Sequence, residues 1–229
     1  LTVDASAINV EITRKAADNT LVDYNAQNQV VQTGTVANPS TITLDLAASL
    51  GEVTRASGNI TIDAFGFFQV SGALAFNKNT TSVTLGNLSG TPSDESATPV
   101  VVEQLTIGGS GLTAFAGING GSADPTGLNL TGVNFALAVQ TEKTPAANTT
   151  ARQWTALKAS ASGANFVGVS GLTVSASAIN VEITRQAADT SLVNYAAQNL
   201  AVQTGTFSAP SSITFDLGAN LGEVTRASG

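Results

Sequence analysis

The chain contains the same segment twice, and this repeat limits what it can fold into more than any other feature. Residues 1–58 and 172–229 align without a gap at an offset of 171, and 43 of the 58 aligned positions are identical. Self-similarity at a fixed period is the signature of a repeat protein, in which neighbouring units bury surfaces that one unit alone cannot bury. The 229 residues therefore predict a window of about one and a third periods of a tandem array.

The 171-residue period is itself divided into three shorter units. The segments 44–58, 105–120 and 157–171 end in related strings, and each precedes a Gly-led strand opening, directly or after a short insert. These internal ends mark the unit boundaries, and we expect the array to continue beyond both ends of the segment. The predicted units are a partial repeat over residues 1–57 (unit B), residues 58–126 (unit C), residues 127–170 (unit A) and residues 171–229 (unit B again).

Apolar and polar residues alternate along much of the period, which indicates half-buried β-strands. Residues 68–76 are one example, and segments rich in Asn, Gly, Thr and Pro separate such strands. The segment 21–32 contains helix formers, but its apolar spacing fits a strand no worse, and we expect a strand there. The sequence predicts an all-β fold with an elongated tandem-repeat architecture, a solenoid-like stack of β units that contain hairpins.

The alternation changes phase at equivalent places, which predicts bulges within the strands. In residues 172–183, the apolar positions move from even to odd numbers between Val174 and Ile179. Because side chains alternate with a period of two, the phase cannot change without an extra residue, so we expect a bulge near Ala178. The same switch recurs between Leu130 and Val133 and between Val3 and Ile8.

Composition narrows the classes of partner and the location. The chain has no Cys, Met or His, 11% charged residues and a net charge of −7 at pH 7. A nucleic-acid partner would need a basic surface, so none is predicted, and no apolar run approaches the ~18 residues of a membrane span. A thiol-free array suits an oxidising exterior. We therefore expect an extracellular or cell-surface location, with any signal peptide outside this segment.

The residue types argue against catalysis. Without His or Cys, the usual nucleophile–base pairs and zinc sites cannot form. Paired carboxylates remain, as in glycosidases, but the acidic residues are scattered among Thr and Ser on polar strand faces. The sequence therefore predicts no enzyme and solvated acidic side chains. The scattered candidates are Asp4, Glu11, Asp45, Glu52, Asp63, Glu103 and Asp124.

Calcium is the one metal ion that the sequence suggests, because acidic extracellular arrays bind it through Asp side chains and loop carbonyls. Two loops combine tight turns with carboxylates, and their candidate ligands are Asp94, Glu95 and Asp124. Neither loop matches an EF-hand or a GGxGxD repeat, and so few carboxylates supply little of the roughly six to eight ligands of calcium. Ordinary turns are the alternative interpretation, and no other cofactor is predicted.

Three strand-rich strings carry a resemblance to known proteins: VEQLTIGGSGLTAFAGING at residues 102–120, GLNLTGVNFALAV at 127–139 and RQWTALKASASGANFVGVSGLTV at 152–174. With them, the chain resembles the units of very large tandem-repeat proteins of bacteria, which are secreted or surface-attached and adhesin-like. The resemblance covers most of the chain and implies an exterior location and a structural role. Its strings are strand signatures, so it assigns no functional residue.

These observations predict a structural repeat segment of a large extracellular bacterial protein, which forms a fibre, sheath or stalk through stacked β units. Its predicted partner is itself, through contacts between repeats and between chains. The alternative is the spacer region of a surface adhesin whose binding domain lies outside this segment. An enzyme on a β-helical scaffold is the third interpretation.

Overall fold

Eight strands form one antiparallel sheet in the structure, a computed structural model that describes residues 1–86, 99–147 and 149–229. Most of the described residues lie in strands. Neighbours in the sheet follow the chain order, because each long strand turns back and pairs with the next one. The order across the sheet is β1 (Thr2–Thr13), β4 (Val53–Ala64), β5 (Phe68–Val83), β7 (Val100–Ile118), β8 (Thr126–Glu142), β9 (Gln153–Val167), β10 (Val174–Arg185) and β14 (Thr225–Ser228).

Two inserts interrupt this succession of strands and share the same internal structure. The first insert, residues 15–52, joins β1 to β4, and the second insert, residues 186–223, joins β10 to β14. Each contains a four-residue helix, a short hairpin and a 3-10 turn. The elements are α1 (Tyr24–Gln27), β2 (Gln29–Gln32), β3 (Thr41–Leu44) and the turn Ala48–Leu50 in the first insert, and β11 (Leu192–Val193), α2 (Tyr195–Gln198), β12 (Ala201–Gln203), β13 (Ser212–Thr214) and the turn Ala219–Leu221 in the second, while β6 (Leu85–Gly86) follows β5.

The strand expected over residues 21–32 is wrong in its central part, which forms α1. The Asp23 carboxylate caps this helix by accepting a hydrogen bond of 3.2 Å from the backbone N–H of Ala26. Asn28 ends the helix in the left-handed conformation, with φ at 46°. Asp and Asn suit these two positions, so the ends of the helix override the alternation that suggested a strand. The last part of the segment, β2, is a strand as expected.

The bulges expected from the phase changes are confirmed. Ala7, Ala178 and Gly132 have positive φ angles of 51°, 53° and 58°, and the ladder of paired residues is interrupted beside each of them. The register shifts beside Ala7 in the pair β1–β4 and beside Gly132 in the pair β7–β8, whereas β9 and β10 keep their register across Ala178. The extra residue restores the phase, so each strand keeps its apolar side chains on one face. In each case an Asn side chain donates to the carbonyl oxygen of the bulged residue: Asn9 to Ala7 (3.1 Å), Asn180 to Ala178 (2.8 Å) and Asn134 to Gly132 (3.1 Å).

The two faces of the sheet differ in composition. Register partners form rows across the strands, and adjacent rows lie on opposite faces because side chains alternate. We call the faces the apolar face and the mixed face after one row from each. The apolar row is Val10, Ala56, Phe76, Ile107, Leu137, Leu157 and Ile183, and the mixed row is Glu11, Arg55, Asn77, Thr106, Ala138, Ala156 and Thr184.

The predicted all-β class is confirmed in its coarse form, a mostly β chain with a large antiparallel sheet. The sheet is open, with β1 and β14 as its outermost strands. The predicted unit boundaries stay a prediction. The boundary at residue 58 lies within β4, that at 127 lies at the beginning of β8, and that at 171 lies in the turn before β10.

Candidate functional site

The second insert lies on the mixed face and buries the hydrophobic core against it. Strand β12 lies against β5, β7 and β8, strand β13 lies against β8, and β11 pairs with β6. The core therefore joins the sheet to the insert. Its members are Val83, Val102, Ala136, Ala138, Trp154 and Ala156 from the sheet, Leu85 from β6, and Ala187, Val193, Tyr195, Val202 and Phe215 from the second insert.

Trp154 of β9 anchors the beginning of the insert. Its indole N–H donates to the backbone oxygen of Ser191 at 3.0 Å and lies 3.2 Å from the Ser191 hydroxyl oxygen. That hydroxyl donates in turn to the Asp189 carboxylate at 2.6 Å. Trp154 is only 1% exposed and Ser191 is fully buried. A buried indole N–H needs an acceptor, so this contact fixes where the insert meets β9.

An ion-pair cluster lies beside the indole. Arg152 makes a bidentate contact with Glu142, with N···O distances of 2.8 and 2.9 Å, and also reaches Asp189 of the insert at 3.2 Å. The hydrogen bond from Arg152 holds the pKa of Glu142 below its ordinary value. Burial raises the pKa of Asp189, but hydrogen bonds from Ser191 and Arg152 outweigh it and leave a lowered pKa. Both carboxylates are therefore charged at neutral pH and hold Arg152 between sheet and insert.

A chain of buried polar groups links α2 to the sheet. The Tyr195 hydroxyl donates to the side-chain oxygen of Gln140 at 2.9 Å, and the Gln140 amide donates to the Gln104 oxygen at 2.8 Å. Gln140 is fully buried and Tyr195 is 2% exposed, and burial raises the pKa of the phenol. Because buried polar groups are costly without partners, this chain specifies one position for Tyr195 on the sheet.

The second insert extends across the sheet from β10 to β4. Lys158 of β9 contacts Asp216 of the insert at 2.8 Å, and that hydrogen bond lowers the pKa of Asp216. At the far end, the backbone N–H of Phe207 donates to the Ser57 hydroxyl at 2.9 Å, and the Arg55 guanidinium lies 4.8 Å from the Phe207 ring. The insert therefore reaches all six strands from β10 to β4.

Small residues in the sheet let the backbone of the insert approach closely. A Cβ atom on Gly108 of β7 would lie 2.1 Å from the backbone oxygen of Gln203 in β12. Such a distance is far below van der Waals contact, so no residue other than Gly fits at position 108 while the insert is docked.

The first insert has the same fold but leaves the matching surface open. The helix-capping hydrogen bonds and the hairpin recur in it, and α1 corresponds to α2. However, Val31 is 41% exposed where its equivalent Val202 is 1% exposed, and Val22 is 48% exposed where Val193 is 3% exposed. Strands β2 and β3 contact mainly each other. The first insert therefore presents to solvent the side that the second insert buries.

The apolar face of the sheet is also uncovered. Val10 and Ile12 of β1 and Phe76 of β5 are exposed, and a shallow apolar groove lies along Ile8, Leu74 and neighbouring residues. No described element packs over this groove. An apolar face of this extent is typical of a contact surface between proteins.

The candidate metal ligands are not brought together within the described residues. Asp124 lies in the exposed turn between β7 and β8, where its backbone N–H donates to the Ser122 hydroxyl. Asp94 and Glu95 lie outside the described residues. The described part of the chain contains no group of three or more acidic, His or Cys side chains that could hold a metal ion. The calcium site stays a prediction.

Four of the acidic residues considered for catalysis, Glu11, Glu52, Asp63 and Glu103, have structural partners. Glu11 pairs with Arg55, and Asp63 accepts from the backbone N–H of Gly66 at 2.7 Å in the turn after β4. That hydrogen bond lowers the pKa of Asp63. Glu11 and Arg14 are close in sequence, as are Glu52 and Arg55, but neither of these neighbouring pairs forms an ion pair. Antiparallel pairing places Glu11 opposite Arg55, and Arg14 lies 3.6 Å from Glu52.

Sequence reasoning missed the residues that dock the second insert. Gln104, Gln140 and Arg152 were not predicted as functional residues, because each contacts residues remote in sequence. One available signal was the apolar content of the inserts. A solvent-exposed loop has no need of Leu192, Val193, Tyr195, Val202 and Phe215.

No family model matches the chain, and no curated protein or solved structure is significantly similar to it. The resemblance to giant tandem-repeat proteins of bacteria therefore stays a prediction. Among the described residues, the helices are all too short to cross a lipid bilayer.

Proposed function

We propose that the chain is a structural repeat segment of a large extracellular bacterial protein that forms a fibre, sheath or stalk through stacked β units. One observation carries the proposal: the two ends of the sheet carry the same strand pair. The register partners Glu11 and Arg55 of β1 and β4 recur as Glu182 and Arg226 of β10 and β14. This recurrence supports a sheet that continues by repeating the strands β4 to β10.

The spacing of the strands gives the expected dimensions of such an array. One period from β4 to β10 contributes six strands to the sheet. Neighbouring strands lie ~4.8 Å apart, so a period adds ~29 Å along the axis if the strands run across it. An array of identical interfaces is stiff, because every unit contacts its neighbours in the same way.

Two further features support a structural role over a catalytic one. Apart from Asp4, the acidic side chains of the strands contact Arg, Lys or backbone groups, as in Glu103 with Lys78 at 3.3 Å. The uncovered apolar face supports association of the sheet with further protein, as a fibre or sheath requires. A thiol-free, acidic composition supports the exterior location.

Electron microscopy of the native material tests the proposal. We expect uniform filaments with layer lines at ~4.8 Å and ~29 Å, the spacing of strands and of periods. Thin stalks that end in a globular head would instead favour the adhesin spacer. Compact particles without an axial repeat would contradict both interpretations.

A further inference from the structure

We infer that the first insert is a docking surface for a second copy of the strands β5, β7, β8 and β9. It covers that copy as the second insert covers these strands here. The inference rests on the proposed continuation of the sheet, and it adds the contact that joins one period to the next. The occupant is thus defined by residues present in this chain.

The docking surface is already formed in the first insert. The Thr20 hydroxyl donates to the Asp18 carboxylate at 2.7 Å, which repeats the contact of Ser191 with Asp189 at 2.6 Å. In the second insert, the same two residues also bind Trp154 and Arg152. In the first insert, no described Trp or Arg side chain contacts them. The local geometry therefore exists without the partner that it fits.

Most residues of this surface are the same in both inserts. Two differences do lie on it: Gln29 replaces Leu200, which packs against the core, and Val36 replaces Phe207, whose ring lies beside Arg55. Tyr24, Val31 and Asp45 are identical to their equivalents Tyr195, Val202 and Asp216, all of which contact the sheet or the core. Most differing positions are exposed in the second insert. Three are buried there, and their replacements are chemically similar: Thr20 for Ser191, Asp23 for Asn194 and Leu44 for Phe215. The first insert thus keeps a contact surface that this chain alone leaves unused.

The placement of the two inserts on the sheet fits a continuous layer. The tip of the second insert contacts Arg55 and Ser57 of β4, the strand to which the first insert returns. A first insert docked in the same way would extend over β1 and the five strands that precede it in an array. Successive inserts would then follow one another along the mixed face, each over one period.

An extended chain tests the inference directly. Residues 58–171 are joined in front of Leu1, so that the junction of Gly171 with Leu1 repeats that of Gly171 with Leu172. Hydrogen exchange is measured before and after the extension. We expect amide exchange in residues 15–52 to slow at least about tenfold, toward that of residues 186–223, because docking suppresses local opening.

The added copy of Trp154 gives a second readout. In the extended chain, the original Trp154 is replaced by Phe, so the added indole is the only one. Docking of the first insert should shield it from acrylamide and shift its emission to shorter wavelength. The matched control carries Gly108→Val in the added segment alone, where a side chain would collide with the backbone of Gln32, the equivalent of Gln203. Protection that survives this control would overturn the inference.

The outcomes separate the inference from the proposed function. Continuation of the sheet protects the amides of β1, which is then paired on both edges as β10 is here. If β1 becomes protected while residues 15–52 do not, the sheet continues and the docking inference is wrong. If β1 stays unprotected, the proposed function fails, and the inference fails with it.

A second measurement uses the unextended chain. Phe215→Asp in a fully buried position should release the second insert and expose the strands that it covers. We expect such chains to associate head to tail through the first insert, with a rise in sedimentation coefficient. Adding Val31→Asp should abolish that association. Association that persists unchanged in the double variant would contradict docking through the first insert.

Discussion

Removing the hydroxyl of Tyr195 gives the most direct test of the contacts that bind the second insert to the sheet. Tyr195→Phe removes one oxygen and changes little else in shape. It leaves the side-chain oxygen of Gln140 without its 2.9 Å donor, in a residue that is fully buried. A buried acceptor that loses its partner costs about 1–3 kcal/mol of folding stability. At about 2–4 °C per kcal/mol for a chain of this size, the melting temperature should fall by about 2–12 °C.

The repeat supplies a matched control for this substitution. Tyr24 occupies the equivalent position in the first insert, and its hydroxyl has no hydrogen-bond partner among the described residues. Tyr24→Phe should therefore change stability by less than about 0.5 kcal/mol, as surface substitutions usually do. The chemistry of the two substitutions is identical, so the difference between them isolates the buried contact.

Denaturant unfolding followed by fluorescence measures both variants, because Trp154 is the only Trp and lies against the second insert. Tyr195→Phe should lower the transition midpoint and increase acrylamide quenching in the native baseline. Tyr24→Phe should do neither. Equal losses in the two variants, or no loss in either, would refute the role assigned to the buried chain from Tyr195 to Gln140.

Three further predictions address the bulges, the ion pairs and the predicted calcium site. Gly132→Ala should lower the free energy of unfolding by about 2 kcal/mol or more, because φ is 58° and a Cβ would lie 2.2 Å from the Ser162 hydroxyl oxygen. Gly111→Ala is the control: φ is 61° there but the space is open, so the loss measured in thermal melts should be only about 1 kcal/mol. Because the folded pKa of Glu142 is lowered, its contribution is present above its ordinary pKa and is lost as pH falls through the folded value. Glu142→Gln should therefore lose less stability than the wild type between pH 6 and pH 3, and an equal loss would exclude this pair as a source of acid sensitivity. If calcium binds through Asp124 and its predicted partners, EDTA should lower the melting temperature, and an unchanged melt would remove that prediction.

The strands and their irregularities could be predicted from the sequence, because both depend on the local alternation of apolar and polar residues. A phase change between Val174 and Ile179 requires an extra residue, and the structure has it at Ala178. The helix α1 was not predicted from the sequence, because its four residues are too few to show a helical period against the strand pattern around them. Its caps, Asp23 and Asn28, were the available local signal.

The contacts between the second insert and the sheet could not be predicted from the sequence, because they join positions far apart in the chain through small or polar residues. Gly108 and Ala136 of the mixed face carry no apolar signal, although each makes room for the insert. The ion pairs of Glu11 with Arg55 and of Arg14 with Glu52 could not be predicted for the same reason, because they too join positions far apart in the chain. Glu11 and Arg14 are close in sequence, but only the strand register reveals that Arg55 lies opposite Glu11.

The inserts and the strand register constrain each other, and this explains why one sheet needs both. A slip of one residue in the pairing of a strand would move its side chains to the opposite face. In β7, such a slip would carry Gly108 away from the backbone of Gln203, and a slip toward Ile107 would bring a large side chain under that backbone. In β9, it would withdraw Trp154 from Ser191. Each docked insert is therefore compatible with only one register of the strands beneath it. An array with one insert per period would have its strand register fixed in this way at every period.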